Sequence, residues 1–211
     1  GAQTFDGGID VDNFNINGTT LALSSGDMLV DVAGDIILDA DGGNITFKDA
    51  GTAIGDFSNS SSDFVITSSV QDKDIIFKGD DGGSAITALT LDMSAGGQAT
   101  FNASVIAKTD TDTSNTGNVT LDFTANQNFV LTLTGNVTLV NPSTESVGQS
   151  GFIAFIQDGT GGRTITLGTD YETAGAAGLT LSSGASKTDL VPYVVVAANR
   201  ILLGAPQLAF S

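Results

Sequence analysis

Residues 26–47 read GDMLVDVAGDIILDADGGNITF. Three glycines, Gly26, Gly34 and Gly43, each open a short segment in which apolar residues recur at every second position. This period is typical of a β-strand, because successive side chains of a strand point to opposite faces of the sheet. The stretch therefore predicts three short strands that stack or wrap on one another, with a glycine turn before each.

One face of these predicted strands is apolar throughout. Its residues are Met28, Val30, Val32, Ile36, Leu38, Ala40, Ile45 and Phe47. Leu29 and Ile37 lie on the opposite face, each between aspartates that are expected to point outward. Since both repeats place an apolar residue there, we interpret Leu29 and Ile37 as contacts with a neighbouring copy of the chain. The alternative is that they are isolated apolar surface residues, which are common in folded proteins.

The pattern returns about 39 residues further along the chain, where DIIF at 74–77 repeats DIIL at 35–38. Repeats of a strand and a glycine turn predict a β-solenoid or β-prism shaft over residues 1–108. Helical periodicity is nearly absent from the whole sequence. The predicted fold class is therefore all-β.

A second region follows a polar segment. Residues 109–117 read TDTDTSNTG and carry no large apolar side chain, so they are predicted to form a linker. Residues 118–211 contain longer alternating segments, which predict an antiparallel β-sandwich of jelly-roll-like topology. Hairpin turns are predicted at Gly135-Asn136 and at Ala198-Asn199.

The composition excludes several classes of function. The 211 residues include 24 acidic and 7 basic side chains, for a net charge of −17, and neither cysteine nor histidine. The chain therefore lacks the commonest catalytic base and metal ligand, histidine, as well as thiol nucleophiles and thiolate metal sites. With no tryptophan and two tyrosines it also lacks the aromatic platforms of a polysaccharide-cleaving cleft. We expect no catalytic residues, no cofactor and no enzymatic activity.

Charge and hydropathy also restrict the partners. A charge of −17 repels phosphate backbones, so nucleic-acid binding is not expected. No apolar run reaches the roughly 18 residues that a membrane span needs, so membrane insertion is not expected either. Because the sequence starts at Gly1 without a charged and apolar leader, we expect a processed product or a piece of a longer chain.

Two aspartate-rich turns, at 39–44 and 110–114, suggest calcium, which prefers carboxylate and carbonyl oxygens. Neither turn has the ligand spacing of an EF-hand loop or of tandem glycine-rich calcium repeats. We therefore interpret these aspartates as solvated turn residues. No metal site is predicted.

Several segments resemble proteins of marine tailed bacteriophages. AGDIILDADGG at 33–43 and DKDIIFKG at 72–79 are similar to a repeat of their tail fibres and structural proteins. In the C-terminal region TGNVTL at 134–139, GQSG at 148–151 and QDGTGGRT at 157–164 resemble a tip domain common on such fibres.

This resemblance implies a homotrimeric virion fibre, located on the virion and hence extracellular. Its N-terminal part would be the shaft, with other virion proteins at the N-terminal end, and its C-terminal part would be the tip. The implied host partner is a surface glycan or an outer-membrane component. The alternative is a purely structural subunit of a fibre, capsid spike or extracellular filament that has no receptor of its own.

The predicted host contacts lie in two loops of the tip, at 158–163 and 168–178. Loops held by a rigid sheet commonly carry binding residues, and Tyr and Arg contribute most per contact. The candidate contact residues are Asp158, Thr160, Arg163, Tyr171 and Glu172. The competing interpretation is that Arg163 only pairs with Asp158 across the turn and that Tyr171 packs on the edge of the sandwich.

Overall fold

The fold was analysed in a computed structural model, which describes residue 21 and residues 25–211. The chain divides into two compact units, Gly1–Thr100 and Phe101–Ser211. Strands dominate both, and within residues 25–211 the helical content is a single 3-10 turn at Ala174–Ala176. The prediction of an all-β fold is confirmed.

Two three-stranded antiparallel sheets follow one another along the chain. The first sheet contains β1 (Asn44–Asp49), β2 (Thr52–Ser60) and β3 (Asp63–Ser68). The second contains β4 (Ile75–Asp81), β5 (Ser84–Asp92) and β6 (Gln98–Phe101). Each sheet is a meander in which consecutive strands pair.

The two meanders share a β-bulge at matching positions. In β1 the register shifts between Phe47 and Lys48, and in β4 it shifts between Phe77 and Lys78. Both bulges follow an Ile-x-Phe-Lys sequence. A bulge inserts one extra residue and increases the local twist, so the two hairpins bend at the same point. The meander is thus the repeated structural unit.

Residues 27–40 differ from the prediction. They form no strand, and of the three strands predicted in residues 26–47 only the third exists, as β1. A strand needs a neighbour with which to exchange backbone hydrogen bonds, and the described residues supply none for this segment. The solenoid or β-prism shaft is not confirmed, because residues 44–101 form meanders.

The C-terminal unit is built on one eight-stranded sheet. Its strands are β7 (Thr109–Thr120), β8 (Asn128–Val140), β9 (Ser150–Gln157), β10 (Ile165–Leu167), β11 (Tyr171–Thr173), β12 (Thr188–Ala197), β13 (Arg200–Leu203) and β14 (Gln207–Phe210). The central order is β10-β8-β9-β12-β13-β11, with β7 on β8 and β14 on β12.

Strand directions in this sheet are mixed, which corrects the prediction of an antiparallel sandwich. β8 is parallel to β7, β9 and β10, and β11 is parallel to β13. β12 is antiparallel to β9, β13 and β14. The segments 121–127 and 141–149 join these parallel strands, so each must return the chain to the same end of the sheet.

The predicted linker at 109–117 is part of β7 and pairs with β8. Its threonines favour strands, and its one buried side chain, Asn115, donates a hydrogen bond to the Thr132 carbonyl at 3.1 Å. An apolar pattern is therefore not needed for this edge strand to form.

Of the two predicted hairpins, one is wrong and one is confirmed. β8 runs straight through Gly135, where an added Cβ would lie 2.2 Å from the Thr116 hydroxyl oxygen. The glycine there permits close contact between strands and forms no turn. Ala198-Asn199 does connect antiparallel β12 and β13, with Asn199 at φ 58°.

A single hydrophobic core lies against one face of the C-terminal sheet. An aromatic cluster at its centre brings Phe123 within 5.0 Å of Phe129 and 5.2 Å of Tyr193, between ring centroids. The buried core residues are Leu121, Phe123, Phe129, Leu131, Leu133, Val137, Leu139, Ile153, Phe155, Tyr171, Val191, Tyr193, Val195, Ile201 and Leu203. This core gives the loops at the strand ends a rigid base.

Candidate functional site

The loop at 158–163 joins β9 to β10 and is held by an ion pair. Nε and a terminal nitrogen of Arg163 donate to the same Asp158 oxygen, at 3.2 and 2.8 Å. The other Asp158 oxygen accepts from the backbone N–H of Thr160 at 3.0 Å and of Gly161 at 2.9 Å. Asp158 is therefore fully engaged inside the loop, as the competing interpretation predicted.

Gln157 and Gly161 fix the base of this loop. The amide of Gln157, 2% exposed, donates to the Arg163 carbonyl at 2.9 Å and accepts from the Arg163 N–H at 2.8 Å. Gly161 has φ +75°, and a Cβ there would lie 2.5 Å from the Ser183 carbonyl oxygen. Only glycine fits this position without a shift of the chain. The loop thus presents Thr160 and one edge of Arg163 in a fixed conformation.

The ion pair changes the acidity of Asp158. The hydrogen bond from Arg163, aided by the backbone N–H of Gly161, lowers the Asp158 pKa from 3.8 to about 2. Because the pKa is lower in the folded state, ionised Asp158 stabilises that state fully above pH about 4. This contribution is lost as the pH falls from about 4 towards 2.

Arg163→Ala should therefore raise the Asp158 pKa towards its ordinary value, because the largest stabilising contact of the carboxylate is removed. A carbon-detected NMR titration of the Asp158 carboxyl group measures this change. Arg200→Ala is the matched control, since Arg200 lowers the pKa of Glu172 instead. An Asp158 titration near pH 2 in Arg163→Ala would contradict the assignment.

The second predicted loop, at 168–178, buries its tyrosine. The Tyr171 side chain lies against Phe123, with 6.5 Å between ring centroids, and the residue is 5% exposed. Burial raises the pKa of its phenol, and the hydroxyl has no hydrogen-bond partner among the described residues. Tyr171 is thus a packing residue that anchors β11, and its side chain is not presented at the surface.

Glu172 is half-buried and paired. Arg200 on the neighbouring β13 donates to its two carboxylate oxygens at 2.7 and 2.9 Å. Ion pairs that are open to solvent contribute little to stability, so the pair mainly fixes side-chain geometry. A cleft of about 460 Å³ lies beside it, lined by Leu167, Gly168, Thr169, Tyr171, Glu172, Thr173, Ala176 and Gly178. The structure places Tyr171 and Glu172 at one cleft and Asp158, Thr160 and Arg163 in the other loop.

Turn aspartates of the described residues accept backbone hydrogen bonds. Asp80 accepts from Gly83 at 2.8 Å, Asp92 from Ala95 at 3.0 Å, and Asp122 from Thr124 at 3.0 Å. Across residue 21 and residues 25–211 there is no group of three or more acidic side chains placed to hold a metal ion. The same residues contain no helix long and apolar enough to cross a membrane.

Asp189 is a structural residue that the sequence analysis missed. Its carboxylate is fully buried and accepts from the N–H and hydroxyl of Ser182, both at 2.7 Å. It also accepts from the N–H of Ala209 in β14, at 2.8 Å. Asp189 therefore joins the 182 region to the C-terminal strand. The sequence did carry a signal for this role. Asp189 is spaced at every second position with Val191, Tyr193 and Val195 in β12, and those residues point into the core.

Residues 116–196 match the family described as "Putative phage tail fibre C-terminal domain". The match runs from β7 into β12 and includes both candidate loops. Comparisons with curated proteins and with solved structures gave no match. The C-terminal sheet is thus similar to a tail fibre domain, which supports a phage tail fibre protein and a place on the virion.

Proposed function

We propose that the chain is part of a homotrimeric tail fibre of a marine tailed phage and that its C-terminal unit attaches the virion to the host surface. The observation that carries the proposal is the match of residues 116–196 to a tail fibre C-terminal domain. Other virion proteins bind its N-terminal end, as the sequence resemblance implies. The chain performs no catalysis in this role.

The attachment surface is the loop at 158–163 together with the Glu172 side of the cleft. Thr160 is exposed, and the side chains of Glu172 and Arg163 keep 38% and 27% of their surface accessible. The loop conformation is set before binding, which reduces the entropy lost on contact. Such side chains suit a neutral or partly charged surface glycan or an outer-membrane component, with Tyr171 acting only as their support.

Self-association is supported by an apolar face on the first meander. Ile45, Phe57 and Ile66 lie in one row across β1, β2 and β3. Phe57 is 5.2 Å from Phe47 and 5.6 Å from Phe64, between ring centroids. Phe64 is 74% exposed in the single chain. Soluble monomers rarely leave such a continuous apolar patch open, so we assign this face to contacts between copies.

Three copies would present three attachment surfaces at once. Once one surface has bound, the other two are held near the host at a high effective concentration. The overall affinity of the trimer then exceeds the affinity of a single site. The charge of −17 per chain repels polyanions. Association between copies is then expected at faces that carry no charge.

A purely structural subunit is the second candidate. The specific observation in its favour is that Asp158 and Arg163 pair with each other and Glu172 pairs with Arg200. Charged groups that already have partners gain less from a further ligand. In this case the chain would supply length or rigidity and bind no receptor.

Adsorption to host cells separates the two candidates. Fluorescently labelled protein should bind susceptible cells, and Thr160→Ala with Arg163→Ala should weaken binding by about tenfold or more, the effect of losing about 1.4 kcal/mol of contact energy. Lys48→Ala, which removes one positive charge from the N-terminal unit, should leave binding unchanged. Assembly mass and melting temperature are measured in parallel. Absence of binding by the unsubstituted protein to every susceptible host would leave the structural candidate.

A further inference from the structure

We propose that a pocket at the start of β9 binds a carboxylated sugar. Its volume is about 380 Å³, within the range of roughly 300–1,000 Å³ that is typical of ligand pockets. The walls come from Lys108 before β7, from the segment 123–127, and from Ser146 and Gln149 before β9. The loop at 158–163 follows the other end of β9, so the pocket is a separate site. The inference rests on the proposed function only for the source of the sugar, a glycan of the host surface.

The charge of this pocket is opposite to that of the chain. Lys108 is its one charged lining residue and is exposed, although the chain carries 24 acidic and 7 basic side chains. Clefts elsewhere are acidic, since Asp56 and Asp74 line one on the N-terminal unit and Glu172 lines the one beside β11. Within residue 21 and residues 25–211, Lys108 forms no ion pair. An anionic ligand is therefore attracted here and repelled at the acidic clefts.

Hydrogen bonds hold the walls of the pocket in place. The Lys108 carbonyl accepts from the N–H of Gln127 at 2.9 Å. The side-chain amide of Gln127 donates to the Ser150 carbonyl at 2.9 Å, and that of Gln149 donates to the Asn126 carbonyl at 2.8 Å. A pocket with fixed walls loses little conformational entropy when it binds a ligand.

The uncharged part of the pocket suits a sugar ring. Thr124 and Ser146 are exposed, and their hydroxyls can both donate and accept hydrogen bonds. The amide oxygen of Gln149 is buried and has no hydrogen-bond partner among the described residues. Buried acceptors without a partner are rare, and a sugar hydroxyl that enters beside Gln149 supplies the missing donor. Phe123 adds an apolar contact for the carbon atoms of the ring.

A single carboxylate is the anion that fits this arrangement best. One lysine supplies one compact charge, which matches one carboxylate rather than an array of phosphates. The acidic remainder of the chain repels polymers with closely spaced negative charges. The ligand class is therefore a uronic acid, or another sugar with one carboxylate, in a glycan whose other residues are neutral.

Saturation-transfer NMR on the full chain tests the pocket with D-glucuronate and D-glucose as probes. D-glucuronate should bind more tightly by about fivefold or more, the effect of one charge-assisted contact, because D-glucose lacks the carboxylate. Lys108→Gln should abolish this difference. Lys187→Gln is the matched control, since it removes the same charge from the same unit near the far end of β9, where the Lys187 carbonyl accepts from the Gln157 N–H at 2.8 Å. It should leave the difference unchanged, and circular dichroism checks that both variants fold.

Three results would overturn the proposal. Equal affinity for D-glucuronate and D-glucose would exclude recognition of the charge, and equal affinity for acetate and D-glucuronate would exclude recognition of the sugar. A preference for D-glucuronate that survives Lys108→Gln would place the binding site elsewhere.

Adsorption of the labelled protein to host cells, measured on the same samples, keeps this proposal distinct from the proposed function. Adsorption by a protein that does not bind D-glucuronate would refute the pocket and leave attachment through the loop at 158–163 standing. Binding of D-glucuronate by a protein that adsorbs to no susceptible host would support the pocket and refute attachment.

Discussion

Phe129→Ala should destabilise the C-terminal unit by about 3–5 kcal/mol, the range for removing a buried phenylalanine. Phe129 is fully buried and contacts both Phe123 and Tyr193, so its loss opens a cavity in the middle of the aromatic cluster. Surrounding strands cannot collapse into that space without giving up their register. Urea denaturation followed by circular dichroism measures the change in the free energy of unfolding.

Asn118→Ala is the control for this experiment. Asn118 lies on β7 and is exposed, and surface substitutions usually change stability by no more than about 0.5 kcal/mol. If Phe129→Ala and Asn118→Ala unfolded at the same urea concentration, the assignment of Phe129 to the core would be contradicted.

Leu29→Asp combined with Ile37→Asp should dissociate the assembly. Both residues are 85% exposed in the single chain, so a monomer has no reason to be destabilised by charge at these positions. In a contact between copies, each substitution buries a carboxylate without a partner, and the chain already carries a charge of −17. The measurement is the mass in solution, which should fall to that of one chain.

A matched variant adds the same two charges elsewhere. Thr113→Asp with Asn118→Asp changes exposed residues of β7 and should leave the mass unchanged. Dissociation by this variant would attribute the effect to net charge, and an intact assembly after the Leu29 and Ile37 substitutions would remove those residues from the interface.

The sequence identified the all-β fold class, because alternation is a local property, but it missed β7, whose residues 109–117 have no apolar pattern. It could not supply strand direction, since pairing depends on where the connections between strands return the chain. Gly135 shows the same difficulty: a Gly-Asn pair is a turn signal, yet the Thr116 side chain explains the glycine, and that contact joins distant residues.

Pro192 shows how context permits a residue that usually interrupts a strand. It lies within β12, and its carbonyl accepts a hydrogen bond from Gly204 at 2.8 Å. On that edge β13 has ended at Leu203 and β14 has not yet begun, so the missing N–H breaks no ladder. Local propensity places the start of the strand after the proline, whereas the sheet extends it back to Thr188.

For the candidate site, the sequence located the loop at 158–163 and the Asp158–Arg163 pair, which are close in the chain. The second predicted loop, at 168–178, is wrong in part, because its residues 171–173 form β11. It could not show that Tyr171 is buried, because burial follows from its position beside β13 and beneath Phe123. Nor could it show that Arg200 engages Glu172, since 28 residues separate them. Each of these contacts depends on the sheet that brings the strands together.

The central claim is that several copies of this chain together form a fibre. The mass of the protein in solution tests that claim most directly. Multi-angle light scattering of the purified protein should give three times the single-chain mass of 21.3 kDa, constant over a wide range of concentration. A value of 21.3 kDa at every concentration would contradict the claim.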